Sequence, residues 1–105
     1  MRSAYEVNGV DPLLHPEGDY DCWIEEVGEI KEAKSGRTFY LQIKVRPVHD
    51  GRIPLFECVA GYPSALLVIR AMAKHMVGMK VKVRIKHRPG MDFMFHDARI
   101  LWPQD

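Results

Sequence analysis

Two stretches of this chain alternate apolar and polar side chains without a fault, and they restrict its fold more than any other feature. In 38–46, Phe39, Leu41, Ile43 and Val45 alternate with Thr38, Tyr40, Gln42, Lys44 and Arg46. In 80–86, Val81, Val83 and Ile85 alternate with Lys80, Lys82, Arg84 and Lys86. Successive side chains on a strand point to opposite faces, so each stretch is a strand with one face on a core and one in water. Such strands need partners, and 105 residues provide for one sheet folded over one core. A composition of 47 % hydrophobic and 28 % charged residues supplies both the core and its solvated surface.

The other elements follow from phase and turn chemistry. A first strand runs over 19–27 behind Gly18, with Tyr20, Cys22 and Ile24 on one parity. Val27 falls out of that parity and Gly28 lies in the slipped stretch, which predicts a bulge or bend. A long, bent first strand is what a small barrel needs to belong to both halves of its sheet. Lys34-Ser35-Gly36-Arg37 and His49-Asp50-Gly51-Arg52 are turns. A third strand covers 53–60, with Pro54 near its start. The spacing of Leu66, Ile69, Met72, Ala73 and Met76 predicts a helix over 64–76, with Ser64 as N-cap and Gly78 beyond its end. Met72, Met76 and Met79 are expected in the core beneath it. After a Pro89-Gly90 turn, a last strand spans 91–100. There Phe93 and Phe95 oppose Ala98 and Ile100 in parity, which suggests a bulge near His96-Asp97. Residues 1–17 are a partly ordered lead-in arm, and 18–105 form the domain. The order β-β-β-α-β-β, all-β with one helix, is that of a five-stranded Greek-key barrel of the OB type.

Several function classes are set aside by what the chain lacks. Its longest apolar run, Ala65 to Ile69, is far short of the roughly 20 residues of a spanning helix. Arg2 is followed by Glu6 and Asp11 rather than an apolar segment, so a cytoplasmic location is expected and no membrane partner. Cys22 and Cys58 make no disulfide framework and are expected reduced, in or near the core. His15, His49, His75, His87 and His96 do not have the paired spacing of a zinc site, so neither metal nor cofactor is expected. No phosphate loop or nucleophile motif is present. Glu25-Glu26 and His96-Asp97 are sequence neighbours, which on a regular strand point apart. Binding is expected, and no enzyme activity.

Gly18-Asp19-Tyr20 opening a strand, Glu29 to Lys34 leading into Ser35-Gly36-Arg37, Gly78-Met79-Lys80-Val81-Lys82-Val83 after a helix, and Asp97-Ala98-Arg99-Ile100 near the end together carry a resemblance. Over roughly residues 18–102 the chain resembles small phage-encoded OB-fold proteins, a group that includes single-stranded-DNA-binding proteins of replication and recombination modules. The resemblance implies a partner that is single-stranded DNA, or RNA, bound with little sequence preference, and replication or recombination proteins as further partners. It also points to a homodimer, because one barrel offers a short track. The chain ends Trp102-Pro103-Gln104-Asp105, without the long acidic tail of bacterial single-strand binders, so recruitment through such a tail is not expected.

Non-specific single-strand binding needs aromatic faces for bases beside cations for phosphates. Tyr40, Lys44 and Arg46 share the outward parity of the second strand, and Trp23 has the outward parity of the first. They form the expected platform, unless the aromatics instead cover a barrel end, the arm or a partner subunit. Lys34 and Arg37 flank a small-residue turn that either meets phosphates or is simply solvated. Lys82 and Arg84 on the fourth strand, with Arg88 in the loop after it, complete the set, and Phe56, Met94 and Phe95 are further candidates for stacking or apolar contact whose parity the third and fifth strands leave open. Charge along the chain admits two readings of that strand. Residues 1–32 hold nine acids and two bases, and residues 33–105 five acids and thirteen bases. The cations either face a nucleic-acid backbone or pair with the acidic first segment, with Glu25, Glu26, Glu29 and Glu32 as candidates. The rival reading of the whole chain is a protein-interaction module, such as a phage accessory or inhibitor protein that uses the same face on a host protein.

Overall fold

The computed structural model describes residues 15–49, 54–89 and 94–103. Six antiparallel strands and one helix follow the order β1 (Gly18–Val27), β2 (Lys31–Glu32), β3 (Phe39–Pro47), β4 (Leu55–Gly61), α1 (Pro63–His75), β5 (Lys80–Pro89) and β6 (Met94–Leu101). β1 lies between β3 and β5, β6 pairs β5, and β4 pairs the far edge of β3. The mostly-β class with one helix between the third and fourth long strands agrees with the alternation. The strand count differs by one. β2 is a two-residue continuation of the first strand, whose Lys31 and Glu32 pair Tyr40 and Phe39. Two residues are too few to show a period, which is why the pattern alone does not mark it.

The expected phase slip is present. The β1–β3 register shifts between Ile24 and Glu26, which leaves Glu25 as the extra residue of a bulge. Both Glu25 and Glu26 are consequently exposed, where a regular strand would have separated them. Gly28 takes the bend that follows. Its N–H donates to the Gln42 carbonyl at 2.9 Å, and a Cβ there would stand 3.2 Å from that oxygen. Arg70 on α1 braces the bend, donating from Nε to the Gly28 carbonyl at 3.1 Å and from Nη2 to Glu29 Oε1 at 2.6 Å.

The inward parities of the strands meet in one core of Cys22, Ile24, Leu41, Ile43, Val45, Leu55, Val81, Val83, Ile85, Ala98 and Ile100, closed by Leu66 and Ala73 of α1. At roughly 25 cal/mol per Å² of apolar surface removed from water, these buried side chains are the main stabilising term. α1 starts one residue earlier than the spacing predicts. Pro63, preset in φ and lacking an N–H, takes the first turn, so the N-cap is Tyr62 and not Ser64. Gly78 adopts the positive φ expected beyond the helix, at 87°. Met76 is half-buried, but Met72 and Met79 are exposed, contrary to their expected place in the core.

Three further expectations change. The β5–β6 ladder runs in unbroken register from Lys82↔Leu101 to Pro89↔Met94, so His96-Asp97 carries no bulge. Only Cys22 of the two cysteines is buried, whereas Cys58 is exposed. Finally, no backbone ladder joins β4 to β6 among the described residues, although the two edges lie alongside each other. The Ile100 N–H donates across that seam to Glu57 Oε1 at 3.2 Å, so a side chain holds it where a strand carbonyl would close a barrel. Of the expected turns His49-Asp50-Gly51-Arg52 and Pro89-Gly90, residues 50–52 and 90 lie outside the described residues, as do 91–93 at the start of the expected last strand and most of the lead-in arm. Its last residues are tied down. His15 is buried against the Tyr20 ring, and Glu17 Oε2 accepts the His87 N–H at 2.8 Å.

Candidate nucleic-acid interface

The outward parity of β3 carries Tyr40, Gln42, Lys44 and Arg46, and register decides what flanks each. Across β1, Trp23 stands opposite Arg46 and Glu26 opposite Lys44. Across β4, Phe56 stands opposite Lys44, Cys58 opposite Gln42, and Ala60 opposite Tyr40. Lys31 of β2 is the other neighbour of Tyr40. Three aromatics and three cations thus share one continuous face. Trp23 is 42 % exposed and Phe56 50 %, while Tyr40 and Lys44 are half-buried.

The face is grooved. One cleft of about 210 Å³ is lined by Glu26, Gly28, Gln42, Lys44 and Phe56. Another of about 370 Å³ is lined by Glu26, Val27, Gly28, Glu29, Lys31, Tyr40 and Gln42. They share Glu26, Gly28 and Gln42 and so form one trough, whose wall is the bend that Arg70 braces. At the far end of β3 a separate pocket of about 320 Å³ is lined by Trp23, Ile24, Glu25, Arg46, Val77 and Gly78.

Acids stand among these cations. Arg46 donates to both Glu25 oxygens, from Nε at 3.1 Å and from Nη2 at 3.2 Å. The bulge that turns Glu25 outward creates this pair. Exposed pairs contribute only about 0.2–1 kcal/mol, so an incoming phosphate can replace the carboxylate at small cost.

The expected cations of β5 sit elsewhere. Lys82 Nζ meets Asp21 Oδ1 at 2.8 Å, and Arg84 meets both Asp19 oxygens, the nearer at 2.9 Å. The acidic first segment therefore does neutralise the strand, but through its two aspartates and not the four glutamates. Hydrogen bonds from Arg84 and Lys82 hold the Asp19 and Asp21 carboxyls below their ordinary value. On the other side of β5, Arg84 stands opposite Arg99, and a groove of about 290 Å³ lies between Arg84, Lys86, Asp97 and Arg99. Arg88 belongs to β5 itself rather than to a loop, and is exposed. Lys34 and Arg37 are exposed in the turn after β2, where Gly36 takes a φ of 72°.

Of the expected site residues, β3 and its neighbours bring together Trp23, Tyr40, Lys44 and Arg46. Lys34 and Arg37 lie at the turn beyond Tyr40, and Lys82, Arg84 and Arg88 lie on the outward side of β5. Phe56, whose parity the sequence leaves open, joins the face, as does Lys31, which the sequence does not single out. The placement of Phe56 depends on the register across the β3–β4 hairpin, and that of Lys31 on the two-residue β2. Among the described residues no His, Cys, Asp and Glu side chains group as metal ligands. No helix there is long and apolar enough to cross a membrane. No protein-family profile matches the chain, and no curated protein matches it.

Proposed function

We propose that the chain is an OB-type barrel, closed at the β4–β6 seam by side chains, that binds single-stranded DNA with little sequence preference in phage replication or recombination. The observation that carries the proposal is the trough on the outer face of β3, where Tyr40 and Phe56 alternate with Lys31 and Lys44. Every base has a π-face, so stacking on aromatics is worth about 1–3 kcal/mol per base whatever the sequence. Cations alongside neutralise phosphates without reading bases. In an OB barrel this face, between the second and third strands, is a usual oligonucleotide surface.

Cys58 provides a direct test. It is exposed in the middle of the face, opposite Gln42, whereas burial pushes the Cys22 thiol up to about 11 and keeps it inert. Alkylation of Cys58 by iodoacetamide is expected to slow when a thymidine oligomer is added and to stay unchanged with duplex DNA. The protection should weaken steeply as salt rises, through counterion release. Undiminished alkylation at low salt and saturating oligomer would overturn the proposal.

A second reading, a protein-binding module, is favoured by a different surface. Tyr62, Leu67, Val68, Met72, Val77 and Met79 are all exposed on α1 and its flanks. Exposed apolar side chains so grouped are the material of a protein interface. That reading predicts association that persists at high salt.

A further inference from the structure

We infer that the Trp23 pocket is a second base-binding station, separate from the trough, which captures one nucleobase of the same strand. This rests on the single-strand reading above, and adds that the strand is held at two places.

The pocket lies at the Arg46 end of β3, and Tyr40 marks the far end of the trough. From Tyr40 to Arg46 the strand covers about 20 Å at about 3.4 Å per residue. The Glu25–Arg46 ion pair lines the pocket, and Glu26 and Lys44 line the near end of the trough beside Phe56. Trp23 therefore cannot stack on the bases that Tyr40 contacts.

The pocket is built to hold a flat ring. Trp23 and Val77, 42 % and 47 % exposed, give it apolar sides, and buried Ile24 lies behind. The loop that carries Val77 is fixed by two backbone hydrogen bonds to one residue of β1. The Gly78 N–H donates to the Ile24 carbonyl at 2.8 Å, and the Ile24 N–H donates to the Met79 carbonyl at 3.1 Å. Gly78 makes that return at positive φ, where an L side chain would be strained. The charged groups of the lining are Glu25 and Arg46, paired in a bidentate bridge. An apolar slot with a charged rim suits a nucleobase, whose faces stack and whose edges are polar. The volume of about 320 Å³ is at the small end of the range for ligand sites, as one base requires.

Two readouts separate the stations. Cys58 alkylation reports on the trough. Trp23 fluorescence, read in a Trp102→Phe background, reports on the pocket. A thymidine dimer is too short to bridge about 20 Å, and a dodecamer is long enough. The dimer should fill the two stations independently, with separate half-saturation points for Cys58 protection and Trp23 quench, whereas the dodecamer should give both at one, lower concentration. Val77→Glu, a change at an exposed position, should abolish the quench, weaken dodecamer binding about tenfold, and leave Cys58 protection intact at saturation. A dimer whose protection and quench share one half-saturation point would overturn the inference, as would Val77→Glu binding like the wild type. Protection of Cys58 with no quench at any length would remove the pocket alone. Neither protection nor quench with any oligomer would remove the single-strand reading, and the pocket with it.

Discussion

The outer faces of β3 and β5 have the same alternating design and end in different chemistry. β5 presents Lys80, Lys82, Arg84 and Lys86, the densest run of cations in the chain, yet Lys82 and Arg84 are engaged by Asp21 and Asp19 from the neighbouring strand. β3 presents two cations and an aromatic, with Phe56 and Trp23 brought alongside by its two neighbours. The difference is register. β1 offers aspartates at alternate positions to β5, but toward β3 its bulge turns Glu25 and Glu26 outward and opens a trough around Gly28. Charge density in a sequence is thus a poor guide to a nucleic-acid surface unless the partners of each charge are known. On the single-strand reading, aromatic side chains exposed beside a groove are the better guide, because they can stack on bases.

The sharpest way to break this comparison is to alter each face in turn. Tyr40→Ala with Phe56→Ala should lower affinity for a thymidine oligomer by about 1–3 kcal/mol per aromatic removed, and leave the salt dependence unchanged. Lys82→Ala with Arg84→Ala should change affinity by less than either aromatic, because no aromatic side chain stands opposite them across β1 or β6 to stack a base. Equilibrium titration at two salt concentrations measures both effects. A larger loss from the β5 pair, with a shallower salt slope, would transfer the binding face to β5.

Arg70 separates the two faces in another way. It joins α1 to the bend that walls the trough, through its hydrogen bonds to Gly28 and Glu29. Its guanidinium is only 21 % exposed, and hydrogen bonds to charged groups contribute about 1.5–3 kcal/mol. Arg70→Ala should lower unfolding stability by about that amount in urea titration. Arg70→Lys, which keeps the charge but not the fork, should recover less than half of it. Loss of stability without loss of Cys58 protection would mean that the bend does not shape the trough.

Much of this was legible in the sequence, and what was not has a physical reason. Period-two alternation located β1, β3 and β5, and the parity break after Ile24 located the bulge, because a buried face leaves no freedom in either. Trp23, Tyr40, Lys44 and Arg46 followed, since they lie on the outward parity of strands whose inward parity is unambiguous. Phe56 did not follow, because a side chain's neighbours across a hairpin depend on turn length as well as on its own strand. Nor did the aspartate partners of β5, since choosing Asp19 and Asp21 over four nearby glutamates requires the β1–β5 register. The exposure of Met72 and Met79 was hidden for a related reason. Helical spacing marks an apolar stripe, but not how much of it the sheet beneath can cover.

The smallest expected effect tests the ion pairs of β5 against the one half-buried acid of the seam. Asp19 and Asp21 sit below their ordinary 3.8 because Arg84 and Lys82 donate to their charged forms. Their contribution to stability is present above 3.8 and is lost as pH falls through the lower folded values. Glu57 has the opposite sign, since burial at the β4–β6 seam raises it above its ordinary 4.5 despite the Ile100 N–H. The unfolded chain ionises this carboxyl first, so stability declines as pH rises from 4.5 through the raised folded value. A urea midpoint followed upward from pH 3 should therefore rise and then dip. Asp19→Asn with Asp21→Asn should flatten the rise, as should 1 M salt, because those pairs are exposed and screened. Glu57→Gln should remove the dip and keep the seam closed, because an amide oxygen still accepts the Ile100 N–H. A dip that survived Glu57→Gln would mean that another acid governs the seam.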